Sequence, residues 1–218
     1  MNVATRPTNN PTTSRNAARS SATRTRLIDS TIEALVDLGF AKTTGVEVCR
    51  RSELTRGALN HHFPDFADLL VETLQVLYAR LLEVDLDAEG GVLEKVLLSS
   101  YERVTQPEFK AVIELWLASC NDPEFGARLA AAIQQSAVLF SPAMVLSTAG
   151  GTSADHEDDA LYFTITETLI GIGLGRAVGR GEGTAHEASV LGQLRSMARE
   201  YDRASLAAES TKQRVLKT

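Results

Sequence analysis

Residues 55–63 read Thr-Arg-Gly-Ala-Leu-Asn-His-His-Phe and crowd hydrogen-bonding side chains into about two helical turns. Thr55 has the side chain of a helix cap, a hydroxyl able to accept from an orphan backbone N–H. Arg56 and Asn60 stand four residues apart, so a helix places them on one face. A guanidinium matches the acceptor edge of guanine, and a carboxamide matches the mixed edge of adenine. Gly57 and Ala58 are small enough for the backbone to approach a surface closely. The chemistry that this spacing supports is reading base edges from the first turns of a short helix in a major groove. His61 and His62 are adjacent, so they point to different sides. They lack the i, i+4 spacing of a helical zinc pair, and no metal site is expected.

Other elements must hold that helix in place. Thr44 can cap a preceding helix, with Glu47 three residues on to complete a capping box. Val46 and Val48 are its expected apolar anchors, Cys49 is small enough to pack, and the turn falls at 52–54. Thr43 and Thr44 would present hydroxyls and backbone N–H groups to a phosphate. Upstream, Ile28, Ile32 and Leu35 repeat at helical spacing with Leu27 and Leu38 beside them, predicting a helix over 22–38 that Gly39 ends. Downstream, Phe63-Pro64 stops the short helix. Asp65 caps a fourth helix, with Asp68 in its first turn. Its broad apolar arc of Leu69, Leu70, Leu74, Leu77 and Leu81 needs partners on more than one side, which predicts a bridge to a second domain.

Over residues 22–75 this stretch resembles the TetR family of bacterial transcriptional regulators. The matching positions are Gly39-Phe40, Thr43-Thr44, Thr55-Arg56-Gly57-Ala58-Leu59 and His61-His62-Phe63, in order and at fixed offsets. Three positions depart from the family pattern. Asn60 stands where a Tyr is usual, Glu53 where a turn Gly is usual, and Phe66 where a Lys is frequent. The usual Tyr and Lys touch phosphates, so operator contacts do not transfer by analogy. The resemblance implies an all-α protein, with a three-helix DNA-binding domain ahead of a helical ligand-binding and dimerisation domain. It also implies that His61 and His62 lie near phosphates.

Charge divides the chain in the same way. The whole carries a net charge of −6. Residues 1–64 hold nine basic and five acidic side chains, and the remainder is strongly acidic. A basic block can approach a polyanion that an acidic block avoids. Residues 1–21 are polar and Arg-bearing, and read as a disordered arm. Its solvated-tail reading stands beside a functional one, in which Arg24 and Arg26 reach a phosphate or a minor groove. No apolar run is long enough for a membrane span, and the start lacks the apolar core of a secretory leader, so a cytoplasmic protein is expected. Cys49 and Cys120 are expected to be reduced, buried and structural.

Beyond residue 91 the breaks at 121–123, 141–142 and 149–153 predict five helices, over 91–105, 107–121, 123–140, 158–180 and 184–207, then a flexible tail over 208–218. The domains expected are therefore 1–21, 22–64, 65–207 and 208–218. Gly171, Gly175 and Gly179 follow no strand, so a helix–helix seam is a better reading than a phosphate loop. By resemblance this seam joins two copies of the chain. The resemblance also implies a largely apolar pocket, for which Tyr101, Phe109, Val112, Trp116, Cys120, Phe140 and Phe163 are the candidate walls. The acidic run around His156 reads as a solvated loop and helix start, and His186 as a surface residue. No nucleophile–base set, phosphate loop or zinc spacing occurs, so neither an enzyme nor a cofactor is expected. The expected protein is a homodimer that binds an inverted-repeat operator in double-stranded DNA, most simply as a repressor, and answers an unknown small-molecule effector. The alternative is a helical small-molecule-binding or adaptor protein without DNA binding, for which Glu53, Asn60 and Phe66 speak.

Overall fold

The computed structural model describes residues 11–81, 83–137, 156–179 and 185–215. The fold is all-α, and among the described residues there is no strand. In chain order the helices are α1 (Pro11–Leu38), a 3-10 turn (Phe40–Lys42), α2 (Gly45–Ser52), α3 (Arg56–His62), α4 (Phe66–Leu81), α5 (Val92–Val104), α6 (Phe109–Asn121), α7 (Pro123–Ala137), α8 (His156–Ala177) and α9 (Ala185–Val215).

Two compact units divide inside α4, between Thr73 and Leu74, rather than at Pro64 as expected. The reason is packing. Leu69 and Leu70 at the start of α4 are buried in the first unit, with Leu27, Leu35, Val48, Leu59 and Phe63. The first turn of α4 therefore completes the helix-turn-helix core. Asp65 accepts from the Ala67 N–H at 3.0 Å, as its capping role predicts. Val46 is 67% exposed, so Val48 alone of the two valines anchors α2.

Two ends are more helical than composition predicts. α1 begins at Pro11, so residues 11–21 extend the helix instead of forming a disordered arm. Proline suits a first helical position, and the Ala- and Arg-bearing stretch that follows costs a helix little. Residues 17–22 are exposed, so this extension is held by the helix behind it and not by a core. At the other end α9 runs on to Val215, past the tail boundary expected at 208.

The second unit is cross-braced by α5, α8 and α9. Asp202 on α9 accepts from the Leu93 and Glu94 N–H groups at 2.9 and 3.1 Å, capping α5 from a distant part of the chain. Gly91 leaves room for it, since a Cβ there would lie 2.2 Å from the carboxylate. Glu94 is buried and accepts from Arg195 and Arg199 of α9. Tyr101 donates to Glu187 at 2.6 Å, and Arg176 of α8 bonds the same carboxylate. Gly173 gives α8 its close approach. A Cβ there would meet the Phe109 ring at 2.6 Å and the Val104 carbonyl oxygen at 2.7 Å.

Candidate nucleic-acid interface and ligand cavity

Two capped helices and one left-handed residue form the candidate interface. Thr44 accepts from the Glu47 N–H at 3.3 Å, and Thr55 accepts from the Ala58 N–H at 3.1 Å. The return half of the expected capping box gives way to another pairing, because the Glu47 carboxylate turns to Arg50 and Arg51. Bonds from Arg50 and then Arg51 hold that carboxyl down at about 2. Glu53 ends α2 at φ 52, ψ 31, the left-handed region that favours glycine. This explains why glycine suits the position. Among the described residues Glu53 is the one non-glycine with positive φ.

On α3, Arg56, Gly57, Asn60 and His61 are exposed, Leu59 is buried, and Ala58 and His62 are half-buried. Arg56 and Asn60 border a shallow cleft of about 430 Å³ with Thr43, Thr44 and Phe40. Arg56 forms no ion pair among the described residues. A Cβ on Gly57 would meet only Thr55 Oγ1, at an ordinary 3.7 Å, so the fold itself does not require glycine there.

Other expected contacts are already committed elsewhere. Arg24 pairs with Glu72, lies 4.5 Å over the Phe63 ring, and donates to the His62 carbonyl. Arg26 donates to Glu53 at 2.9 Å in an exposed pair. Thr43 is buried and its hydroxyl donates to the Gly39 carbonyl at 2.9 Å, so of the two threonines only Thr44 faces outward. Sequence reasoning passed over Lys42. It is exposed, forms no ion pair among the described residues, and directly precedes Thr43-Thr44. A basic residue beside two threonines at a helix start was the available signal.

Cavities of the second unit differ in character. One of about 240 Å³ is walled by Tyr78, Phe109, Trp116, Tyr162, Leu169 and Ile170 among others. A wider one of about 520 Å³ has Arg80, Glu83, Glu102, Arg103 and Glu108 on its rim, with Phe109 and Val112 behind. Of the expected pocket residues, Phe109, Val112 and Trp116 line these spaces. Tyr101 is held by Glu187 and Cys120 is exposed, and neither lines either of these two spaces. Phe163 is 50% exposed, and its neighbour Tyr162 takes the inward place. Phe140 and the break at 141–142 lie outside the described residues, as do the loop at 149–153 and the side chain of His156. Both cysteines are free. Cys49 is only half-buried, though burial still pushes its thiol up. The structural role expected of Cys120 has no burial to support it.

The seam glycines separate as well. Gly171 and Gly179 are exposed with nothing near a notional Cβ, and Gly179 ends α8 at φ 78. Gly175 is half-buried. It is Gly173 that makes the close helix contact within the chain.

Two capped helices around a tight turn, with donors exposed on the second, form a helix-turn-helix. No family model matches the chain. It is 24% identical over 153 residues to the transcriptional regulator CymR of Pseudomonas putida, covering 67% of this chain and 75% of that protein. It is 26% identical over 110 residues to BetI of Escherichia coli, and the match spans 56% of that protein. A TetR-family regulator from Rhodococcus sp. shares its fold at a TM-score of 0.60 and 19% identity, covering 82% of this chain and 99% of that one. A regulator from Saccharomonospora viridis solved with choline has a TM-score of 0.53 at 16% identity, with 83% and 95% covered. The chain thus shares the fold of TetR-family transcriptional regulators, and the curated proteins it resembles in sequence are helix-turn-helix transcriptional regulators.

Proposed function

We propose that the protein is a dimeric, ligand-responsive repressor that grips an inverted-repeat operator and releases it when a small molecule fills the second unit. The observation that carries this reading is the outward row Arg56, Gly57 and Asn60 on α3: all three are exposed, Arg56 forms no ion pair among the described residues, and the fold itself does not require a glycine at 57. Arg56 and Asn60 read base edges. Thr44, Thr55, Lys42 and the outer histidine, His61, stand where phosphates would run. Arg24 acts structurally, and Arg26 reaches DNA only by leaving Glu53.

The switch runs along α4. Its first turns help to build the helix-turn-helix core, and its last turn supplies Tyr78 and Leu81 to the apolar cavity. A ligand that favours one setting of this helix alters the spacing of paired recognition helices, and a dimer holding two half-sites is sensitive to that spacing. The exposed face of α8, with Phe163, Gly171, Leu174 and Val178, supplies the seam between copies.

Gel shifts with the DNA upstream of the gene test the first half. Arg56→Ala and Asn60→Ala should each cost about 1–3 kcal/mol against the cognate site and less against random DNA. Equal losses on both would make them phosphate contacts. The second half is tested by titrating an effector with and without operator. Coupling of about 1–3 kcal/mol gives a 5- to 150-fold mutual weakening, and equal effector affinities in the two titrations would leave α4 a strut.

A further inference from the structure

Tyr162 is the unexplained residue of the apolar cavity. It is 4% exposed, so its hydroxyl sees little besides that space. Among the described residues nothing bonds to that hydroxyl. The other polar groups of the wall are accounted for, with one exception. Trp116 Nε1 donates to Tyr78 Oη at 2.8 Å. Thr166 turns its hydroxyl back to the Tyr162 and Phe163 carbonyls. The exception is Ser100 on α5, whose hydroxyl also has no partner among the described residues. Ser100 is half-buried, and no fully buried side-chain oxygen lacks a partner among the described residues, so these two hydroxyls are open to the space and to whatever fills it. A bound molecule that shut out water would have to supply their hydrogen bonds.

We propose, building on the regulator reading above, that this cavity takes a compact, uncharged, largely apolar organic molecule carrying one hydrogen-bonding oxygen, and that the Tyr162 hydroxyl is its specificity-determining anchor. Shape sets the size. An engineered cavity of about 150 Å³ holds benzene, and drug-sized ligands need about 300 Å³ or more. The 240 Å³ here fits one or two rings. Charge is excluded by the wall, since no acidic or basic side chain lines the cavity among the described residues, and a charge buried without a partner is strongly disfavoured. The acids and bases line the wider opening instead. Aromatic walls alone can hold a quaternary ammonium. Here, however, no carboxylate lines the cavity among the described residues, and the Tyr162 and Ser100 hydroxyls open onto it as partners for an oxygen. Burial pushes the Tyr162 phenol up to about 12, so at neutral pH it is a standing O–H donor.

The chain's single tryptophan, Trp116, lies in the wall, so its fluorescence reports occupancy of the free protein with no DNA present. Three probes of one ring size are titrated into the full chain: cyclohexyl methyl ketone, cyclohexanecarboxylate and cyclohexyltrimethylammonium. The ketone should bind saturably and at least tenfold more tightly than either ion. Tyr162→Phe should weaken the ketone about three- to tenfold, the usual worth of one neutral hydrogen bond. The same variant should leave the affinity for ethylcyclohexane unchanged and the melting temperature no lower, results that a merely structural role for the hydroxyl would not give. Either ion binding as tightly as the ketone overturns the ligand class, and so does a ketone that fails to bind up to its solubility. An unchanged ketone affinity in Tyr162→Phe overturns the anchor. If the probes behave as expected while no operator is bound, the regulator reading fails and the cavity assignment stands.

Discussion

Glu47 and Glu94 are each gripped by two arginines, yet they hold different kinds of structure together. The partners of Glu47, Arg50 and Arg51, sit three and four residues away on its own helix. The partners of Glu94 lie 101 and 105 residues along the chain, on α9, and its side chain is 5% exposed. Glu47 is thus held by spacings within a turn of its own helix, and Glu94 by pairings that exist only once the C-terminal unit has folded. The first kind fixes a surface on which a few donors stay free. The second encloses a space.

Steric tests should separate the units most sharply. Gly173→Leu drives a side chain into the Phe109 ring and the Val104 carbonyl, and should destabilise the protein by about 3 kcal/mol or more, at the top of the usual overpacking range. Gly171→Leu, two residues away in open space, should leave the melting temperature nearly unchanged and instead weaken any dimer built on that face. Sedimentation equilibrium and a thermal melt read the two outcomes. Equal destabilisation by both would mean that α8 is packed differently.

Next in size is Glu94→Gln, which should cost about 1.5 kcal/mol at neutral pH by removing charge-assisted bonds from a buried group. Bonds from Arg199 and Arg195 lower the Glu94 pKa against the opposing pull of burial. A depressed carboxyl adds stability that is fully present above the unfolded value of about 4.3 and is lost as pH falls through the folded one. The native protein should therefore lose stability on acidification below about pH 4.3 more steeply than Glu94→Gln. Parallel pH profiles would show that the α5–α9 pairing contributes little. Glu47→Gln, at a half-buried side chain whose partners sit on its own helix, should cost less than Glu94→Gln.

The same contrast explains what was legible in the sequence. Thr44, Thr55, Gly39 and Asp65 act within four residues of themselves, and their capping roles follow from residue type and spacing. Leu27, Ile28, Ile32 and Leu35 follow from helical period. By contrast, Asp202 capping α5, Gly173 against Phe109, and Tyr162 facing the cavity while Phe163 faces out all depend on which helix lies opposite. No local pattern carries that. Arg24 was misread for the same reason, because Glu72, which takes it up, is 48 residues away. Residues 11–21 were misread in the opposite sense. Their composition is that of a loop, but a helix already nucleated behind them extends at little cost.

Arg24→Ala should accordingly behave as a packing lesion of about 1 kcal/mol or less, since the pair with Glu72 is partly exposed. The log–log salt slope of DNA binding should stay the same. A slope reduced by about 0.9 would restore Arg24 as a phosphate contact.

The smallest effect on stability, and the most informative for DNA, is expected from Glu53→Gly. A left-handed non-glycine residue costs roughly 1 kcal/mol or more, which glycine relieves. Glycine also frees the unfolded chain by about 0.5–1 kcal/mol, which works against the fold. The lost pair with Arg26 is solvent-exposed on both sides, at 51% and 80%, and contributes about 0–1 kcal/mol. These terms nearly cancel, so the melting temperature should hardly move. On DNA they do not cancel. The substitution removes a negative charge from the turn between the two helices and releases the Arg26 guanidinium. Affinity for DNA of any sequence should rise, and the salt slope should steepen by about 0.9 if Arg26 then meets a phosphate. Discrimination between operator and random DNA should stay as it was, because Arg56 and Asn60 are untouched. An affinity that does not change would show that Arg26 stands clear of the duplex, and that in this protein Glu53 restrains no contact at all.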